Sequence, residues 1–453
     1  MRFNELKNSR VAILGVGREG LAVWRQVRRR YPGKPLSLFS ESPVNEDVRQ
    51  QFSPAIDELH TGPLDVSLLG EFDVLVRSAG ISIYRDELVQ LRSRGVRFTT
   101  ASNLWFAENP TAKTICISGS LGKSTTAKLT AHLLSHAGVS VCLAGNIGRP
   151  MLDCENETVQ WWVIELSSYQ ISDLEAKPDV AVLLNFSEEH LDWHRGIENY
   201  KADKLRLADL VSDGSLIANY SDEALRSSLK NHPGITWFNR AGHWIAGKNS
   251  VSNQSDKNGL PVTRQRRVCA PASLPGEHNM QNLAAALTIV DALGLDLPRL
   301  DEAVSSFSSL PHRLKHIGEK AGVCYIDDSI STTPVSVAAA LQTIGYQDVI
   351  LLLGGMDRGL DWSGFANSLA DRTPHSIITL PDSGPRIADC MKAAGVKPQG
   401  GLHAVTGLRE AVLLAEELVP ENGYILLSPG APSYPHFRDY EDRGHQFKKY
   451  SGF

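Results

Sequence analysis

The run Thr114 to Ser118 is apolar and β-like, and it ends in Gly119-Ser120-Leu121-Gly122-Lys123-Ser124-Thr125 ahead of a helix-like stretch, Ala127 to Ala137. Backbone N–H groups of such a loop, with the positive end of the helix dipole, cradle phosphate oxygens. Lys123 can then neutralise terminal phosphates, and the Ser124 hydroxyl can hold Mg²⁺. The usual phosphate loop has Gly where this chain has Ile117, so the loop is a shortened variant. The competing reading is an ordinary strand–turn–helix with a solvated lysine. Glu165 follows the apolar run Trp161 to Ile164. An acid at such a strand end can ligate Mg²⁺ directly or through water, or simply open a helix. A third cluster is Phe186-Ser187-Glu188-Glu189-His190-Leu191-Asp192-Trp193-His194. His190 is an unusual partner for a cation that prefers oxygen, so residue chemistry favours a helix-start acid cluster with a surface histidine. Lys201 and Lys204 read as two solvated helix lysines. Asn279 and Asn282 lie three apart on one helix face, suited to an adenine edge or to a cap.

These residues need a scaffold that delivers them to one place. Arg10 to Leu14 and Leu36 to Ser40 are strand-like, with Gly15-Val16-Gly17-Arg18-Glu19-Gly20 after the first and a helix expected over 21–30. The Gly pattern alone fits a nicotinamide site with Glu41 on the ribose, a plain tight turn, or a site for another nucleotide diphosphate. Arg28-Arg29-Arg30 reads as a solvated helix end. The segment 236–272 is polar and reads as short antiparallel strands and loops, its Arg264, Arg266 and Arg267 a solvated face. From Val323 onward strands and helices alternate again, at Val349 to Leu353, Ser376 to Leu380 and Tyr424 to Leu427. Ligands in such sheets bind beyond the strand C-termini. The segments there are Asp327-Asp328-Ser329, Gly354 to Arg358 and Ser428 to Ser433.

The fold class is therefore α/β in three domains: an N-terminal Rossmann-like domain over 1–109, a central P-loop ATPase domain over 110–311 and a C-terminal Rossmann-like domain over 312–453. The central sheet is expected to be mostly parallel with a small antiparallel part. The 453 residues are 42% hydrophobic and 21% charged with net charge −5, which argues against long disorder and against a nucleic-acid or membrane surface. No apolar run reaches membrane-span length. Met1 to Arg10 is polar, so no signal peptide is expected. Six scattered cysteines lack Cys-x-x-Cys spacing and read as reduced core thiols of a cytoplasmic protein.

Taken in order, these segments resemble the Mur ligase family, most closely its glutamate-adding MurD type. Ser118 to Thr125 resembles the family's ATP loop, with Leu121 where Asn is usual. Gly145-Asn146-Ile147-Gly148 resembles the muramoyl-contacting loop, and Glu165 to Gln170 the segment with the first Mg²⁺ ligand. Asn185 to Asp192 is similar to the segment whose histidine, here His190, sits at a second Mg²⁺. Lys204 matches a lysine carried as a carbamate. Gly276 to Asn282, Pro311-His312-Arg313 and Asp327-Asp328-Ser329 resemble nucleotide-contacting segments. The resemblance implies a UDP-binding first domain, which explains the Gly motif without a nicotinamide. It implies ATP contacts from Gly119, Ser120, Gly122, Lys123, Ser124, Thr125, Asn279, Asn282, Arg313 and Asp328. It places two Mg²⁺ ions at Ser124, Glu165, His190 and Lys204, with Lys123, His190 and Lys204 catalytic. Gly17, Ser78, Gly80 and Asn146 would contact the nucleotide sugar, and Thr332, Arg358, Ser433 and Tyr440 the amino acid. The implied reaction joins glutamate to UDP-N-acetylmuramoyl-L-alanine through an acyl phosphate, in a cytoplasmic monomer.

The departures gather in the last domain. The type has Lys where this chain has Ile330, a Ser-Pro-Ala-x-Ala-Ser run where it has Ser428-Pro429-Gly430-Ala431-Pro432-Ser433, and Phe where it has Tyr440. Those segments hold D-glutamate in the typical enzyme. The changes point to the branch that adds L-glutamate, with a downstream epimerase, over a D-glutamate site that has drifted. The rivals are a folate-type polyglutamate ligase, a nicotinamide-linked dehydrogenase and a P-loop switch without ligation.

Overall fold

The computed structural model describes residues 1–154, 157–211, 214–255, 261–271, 273–308 and 310–453, without the side chains of 254–255 and 261–265. Contacts divide the chain into two compact units, 1–271 with 279–307, and 272–278 with 308–453.

The first unit holds a five-stranded parallel sheet built from β1 (Val11–Leu14), β2 (Leu36–Ser40), β3 (Asp57–Thr61), β4 (Val74–Arg77) and β5 (Arg97–Thr100). Its order is β3-β2-β1-β4-β5, the first five places of a dinucleotide-type sheet. β1 and β4 are buried along their whole length, as parallel strands covered on both faces must be. The helix that follows β1 runs from Arg18 to Arg30, three residues earlier than its sequence pattern shows, because Gly17 caps it in an extended conformation. Gly15 has φ +93°, and a Cβ on Gly20 would lie 1.9 Å from the Gly15 carbonyl oxygen. Sterics alone therefore require both glycines. The basic run at the helix end is not simply solvated. Arg28 pairs with the buried Asp57 carboxylate, and the Arg30 guanidinium lies 4.4 Å from the Phe3 ring centre.

The same unit carries a six-stranded parallel sheet: β6 (Thr114–Ser118), β7 (Val141–Gly145), β8 (Trp161–Glu165), β9 (Val180–Leu183), β10 (Ser215–Asn219) and β11 (Thr236–Phe238). The order is β11-β10-β9-β6-β8-β7. β11, expected among antiparallel strands, pairs parallel to β10 and buries Trp237 and Phe238. The antiparallel part is confined to β12 (Trp244–Ala246), β13 (Ser250–Ser255) and β14 (Pro261–Cys269). Arg266 and Arg267 are exposed there, and the Arg264 side chain lies outside the described residues. One apolar core runs from Phe3, Val11 and Trp105 to Cys116, Trp162 and Leu207, with the Trp105 and Trp162 rings 4.7 Å apart. This shared core is why both sheets fall into one unit.

The second unit holds β15 (Lys315–Lys320), β16 (Val323–Asp327), β17 (Val349–Gly355), β18 (Ser376–Asp382), β19 (Leu402–Ala404) and β20 (Tyr424–Leu427). The order is β15-β16-β20-β17-β18-β19, parallel except for the edge strand β15, with the last strand inserted between β16 and β17. Alternate residues of β17 feed two cores. Val349, Leu351 and Leu353 pack with Val337, Leu341 and Ile387, while Ile350 and Leu352 pack with Val412 and Phe447. Cys116, Cys142 and Cys154 are core thiols as expected; Cys324 and Cys390 are half-buried, and Cys269 is exposed at the end of β14. Among the described residues no helix is long and apolar enough to cross a membrane.

The turn after β1 gives a direct test. Gly20→Ala places its methyl on the Gly15 carbonyl, and relief needs a backbone shift in the core of the first sheet. A loss of about 2 kcal/mol or more is expected, seen as a lower thermal midpoint. A variant that melts with the parent would show that the turn yields freely.

Candidate active site

Three neighbouring strands, β8, β6 and β9, end beside one another, and their C-terminal loops carry the candidate residues. The loop after β6 turns into the helix Lys123–His136 through Gly122, whose φ is +83° and whose missing Cβ would lie 2.2 Å from the Asn282 amide oxygen. Asn185, just beyond β9, fixes the loop like a template. Its side chain accepts from the Leu121 N–H at 2.8 Å and donates to the Leu121 carbonyl at 2.9 Å. Its carbonyl accepts from the Ser120 N–H at 3.1 Å. Lys123 lies across the loop, its Nζ donating to the carbonyls of Gly119 (2.9 Å) and Ser120 (2.7 Å).

Ser120 faces inward. Its Oγ lies 2.8 Å from Tyr200 Oη, donates to the Ser187 carbonyl at 2.9 Å and accepts from Lys204 Nζ at 3.0 Å. It thus braces the loop from below. Asn282 has a similar part: it accepts from Thr126 Oγ1 at 3.2 Å and donates to Asn279 at 3.1 Å. Both asparagines are buried against the helix that follows the loop, which favours bracing over an open adenine edge. Ser124 is half-buried, and buried Thr125 Oγ1 has no hydrogen-bond partner among the described residues.

Glu165 ends β8 and is 1% exposed. Its Oε1 accepts from Asn146 Nδ2 at 2.7 Å; its Oε2 is buried without a partner among the described residues. An orphaned carboxylate oxygen is costly, and a hard cation is a natural partner for it. Asn146 is thus placed by Glu165, and its backbone N–H also bonds the Glu165 carbonyl at 2.9 Å.

Lys204 is not a solvated lysine. It is 2% exposed, its Nζ bonds Tyr200 Oη at 2.5 Å, and it lies 4.5 Å from the Tyr200 ring centre. Burial, and then the nearby Lys123 charge, push its pKa well below the usual lysine range, against the pull of Glu189 and Asp222. Lys201, on the same helix (Ile197–Asp209), stays half-exposed. Burial pushes Glu189 up in turn, against Lys123 and Lys204. His190 is half-buried, adopts φ +56° as the cap of the short helix Leu191–His194, and packs 4.9 Å from the Tyr169 ring. One cavity is lined by Gly119, Lys123, Ser168, Glu189, His190 and Lys204.

Sequence reasoning missed several groups around it. Asn185, Glu189, Ser168 and His194 lie in the motif segments but take no role of their own there, and Tyr200 and Asp203 carry no local signature. Three of these residues form a buried chain, in which Ser168 Oγ lies 3.0 Å from His194 Nε2, and His194 Nδ1 lies 2.6 Å from Asp203 Oδ2.

In the first sheet, Ser78 Oγ donates to the Gly15 carbonyl at 3.1 Å, Gly17 heads the helix after β1, and Gly80 accepts from Trp193 Nε1 at 3.1 Å. Glu41 is paired with Arg85 at 2.7 Å, away from the role a nicotinamide would give it.

In the second unit, the loops after β16, β20 and β17 meet at adjacent strand ends. Asp328 is buried and pushed up to about 6 by that burial, although Ser428 Oγ donates to it at 2.7 Å and the Leu314 N–H at 3.1 Å. Its carboxylate is thus already engaged within the unit. Arg313 is half-buried, with Nε unpartnered among the described residues. Thr332 is half-buried, Ser433 buried and Arg358 exposed. Tyr440 opens the helix Tyr440–Tyr450, its hydroxyl donating to Glu441 at 3.1 Å.

A family model for the Mur ligase middle domain matches residues 117–290, and one for the Mur ligase glutamate ligase domain matches 312–430. The whole chain is 38% identical to the UDP-N-acetylmuramoyl-L-alanine–L-glutamate ligase of Xanthomonas euvesicatoria pv. vesicatoria (strain 85-10), covering 97% of that protein. The chain belongs to the Mur ligase family. It is an ATP-dependent ligase of that type, which leaves no place for the dehydrogenase and switch readings. Two solved structures share the fold, each with a TM-score of 0.61. UDP-N-acetylmuramate-alanine ligase MurC from Thermotoga maritima is 17% identical, covering 98% of this chain and 99% of that one. The MurF ligase from the same organism, in complex with ADP, is 16% identical, covering 98% and 96%.

The electrostatics of Lys204 separate stability from activity. Methionine at 204 keeps the packing on Tyr200 and Phe186, and Ser120 still bonds Tyr200. Lys204→Met should therefore melt with the parent or up to about 2 °C higher, roughly 1 kcal/mol, while ligation is lost. A clear drop in the thermal midpoint would make the amine a structural member instead.

Proposed function

We propose that this ligase joins L-glutamate to UDP-N-acetylmuramoyl-L-alanine using ATP, in peptidoglycan precursor synthesis. The observation that carries the reading is the cavity lined together by the phosphate-loop Lys123, the buried Lys204 and Glu189. The full-length relatives support the choice of substrates, since their names state L-glutamate. The domain roles follow: nucleotide sugar on 1–109, ATP on 110–311 and glutamate on 312–453. The protein acts as a cytoplasmic monomer, and an epimerase acts on its product.

The alanine carboxylate attacks the γ-phosphorus of ATP. An O–P bond forms, the bond to the leaving ADP breaks, and an acyl phosphate results. The neutral glutamate amine then attacks the acyl carbon, a C–N bond forms, and the tetrahedral adduct collapses by breaking the C–O bond to the departing phosphate, which carries off the proton the nitrogen loses. Two anions must approach each other in the first step, so charge neutralisation and positioning supply most of the rate. Lys123 turns from the loop carbonyls to the terminal phosphates. Asn279 and Asn282 act by holding the helix beneath the loop, and Arg313 and Asp328 complete the nucleotide contacts. Ser124, Glu165, His190 and Lys204 would hold two Mg²⁺ ions, which supply further neutralisation of phosphate charge. The unpaired Glu165 oxygen fits that role. Lys204 fits as a carbamate: its neutral amine adds to CO₂ and loses a proton, giving an anionic oxygen donor in place of nitrogen. Gly17, Ser78 and Gly80 serve the nucleotide sugar. Thr332, Ser433 and Tyr440 line the glutamate site, and Arg358 can grip a carboxylate through two parallel hydrogen bonds.

Two measurements test this reading. With ATP, Mg²⁺ and UDP-N-acetylmuramoyl-L-alanine, phosphate release should depend on L-glutamate, and kcat/KM for D-glutamate should be far lower. A preference for the D-enantiomer would reassign the substrate. Lys123→Ala should fold normally and lose on the order of a hundredfold in kcat. Near-normal turnover at saturating ATP would remove the phosphate-loop lysine from the mechanism.

A further inference from the structure

A cluster of metal-ligating side chains lies apart from the reaction cavity. Cys142 sits in β7, Cys154 ends the 3-10 turn Met151–Cys154, and Glu157 follows that turn. Their spacing in the sequence carries no metal signature, since neither cysteine belongs to a Cys-x-x-Cys pair. The fold nevertheless brings the two sulfurs and a Glu157 carboxylate oxygen within 4.8 Å of one another. In a tetrahedral zinc site, with Zn–S about 2.3 Å and Zn–O about 2.1 Å, such atoms stand about 3.6–3.8 Å apart. Gathering the three onto one ion therefore asks for a closing of about 1 Å at most between any pair. Arg149 Nη1 bonds Glu157 at 2.5 Å and orients the carboxylate, as outer-sphere partners of metal ligands do. Both cysteines are buried, while the Glu157 side chain is 33% exposed and gives the cluster a way to solvent. The neighbouring Cys142 thiol, and then the Arg149 charge, hold the Cys154 thiol below its usual range against burial, and a ligating sulfur must be a thiolate.

The donor set chooses the ion. Two sulfurs do not suit Mg²⁺, which takes oxygen, and favour a softer cation. We propose that Cys142, Cys154 and Glu157 form a Zn²⁺ site, with solvent completing the fourth position. Each thiol gives its proton to solvent as its S–Zn bond forms, so the step needs no oxidant. The ion would fasten β7 to the segment that carries Cys154 and Glu157. That segment is already anchored on the helix Arg18–Arg30, by Arg25 on Asp153 at 2.7 Å and by Gln26 Nε2 on the Leu152 carbonyl at 2.5 Å. β7 runs directly into Asn146, which clamps Glu165, so the ion would brace one side of the reaction site from outside it. A second trio, His316, Glu319 and Cys324, has the same reach, but His316 and Glu319 are exposed and it offers a single sulfur. It serves as the internal control.

The test titrates the full-length protein, kept reduced and in excess Mg²⁺, with Co²⁺ as a spectroscopic stand-in for Zn²⁺. The parent should develop a near-ultraviolet sulfur-to-cobalt charge-transfer band together with the strong visible bands of a four-coordinate ion. Added Zn²⁺ should erase both. Cys142→Ala and Cys154→Ala should abolish the charge-transfer band, and His316→Ala should leave it unchanged. Both cysteines are in the core, so Glu157→Gln, at a half-buried position, keeps the test independent of folding. It should melt with the parent in the absence of zinc and bind Zn²⁺ about tenfold or more weakly. Zn²⁺ should raise the thermal midpoint of the parent and of His316→Ala, and of neither cysteine variant. No charge-transfer band from the parent overturns the proposal. So does a band that survives in either cysteine variant or is lost in His316→Ala, and so does a folded Glu157→Gln that binds Zn²⁺ as the parent does. A parent without the band whose two thiols vanish under mild oxidant would make the cluster a disulfide pair instead.

Discussion

A lysine amine has been taken out of water beside a phosphate loop, and the site is arranged around that cost. Lys204 has the Ser120 and Tyr200 hydroxyls as partners and the Tyr200 and Phe186 rings as walls. Those partners join three separate elements. Ser120 belongs to the loop after β6, Ser187 and Phe186 follow β9, and Tyr200 lies one helical turn before Lys204. A charged amine there faces both desolvation and the Lys123 ammonium, which together push its pKa well below the usual lysine range. Glu189 on the same wall is pushed toward its own neutral form. In both groups burial disfavours the charged form, although each is the other's opposite charge.

The positions of these groups come from backbone more than from side-chain packing. Gly145 has φ +101°, and a Cβ there would lie 2.3 Å from the Glu165 carbonyl oxygen. That close approach lets the end of β7 cross the end of β8, so that Asn146 clamps one carboxylate oxygen and leaves the other unpaired. Gly119 and Gly122 do the same work against Leu184 and Asn282. At Gly145, Gly119 and Gly122 a neighbouring group comes nearer than a side chain permits.

This explains what could be read in the sequence. Contiguous features were legible: the phosphate loop, the acid at the end of β8, the alternation of strands and helices, and the run of segments that resembles the Mur ligases. Features made by partners far apart were not. Lys201 and Lys204 are equivalent in local chemistry, and only the packing of their helix decides which one is buried. Arg28 finds Asp57 from 29 residues away, which turned an expected solvated end into a buried pair. Ser168 and His194 are 26 residues apart, with Asp203 a further nine on. Strands β3, β5, β7, β15 and β19 went unnamed; all lie at sheet edges, where short or polar-bearing strands give a weak local pattern, although β7 is apolar.

The second unit shows why its departures from the familiar pattern come together. The loops beyond β16, β20 and β17 are bonded to one another. Ser428 donates to Asp328 at 2.7 Å, the Gly354 N–H bonds the Pro429 carbonyl at 2.8 Å, and the Met356 N–H bonds the Pro432 carbonyl at 3.0 Å. Ser329 Oγ reaches the Tyr440 carbonyl at 2.8 Å, while Arg443, buried beneath, donates to the Ser329 carbonyl at 2.7 Å. A change in one loop is felt by the other two, so their effects do not add independently. Inverting the α-carbon of the amino acid, with the amine kept on its line of attack, moves the side chain and the α-carboxylate at once. A site built from interlocked loops can follow that movement only by changing several of them. Ile330, the Gly430 to Ser433 segment and Tyr440 are such a set: one residue on the loop after β16, a run on the loop after β20 and the first residue of the helix Tyr440–Tyr450, whose carbonyl Ser329 Oγ reaches.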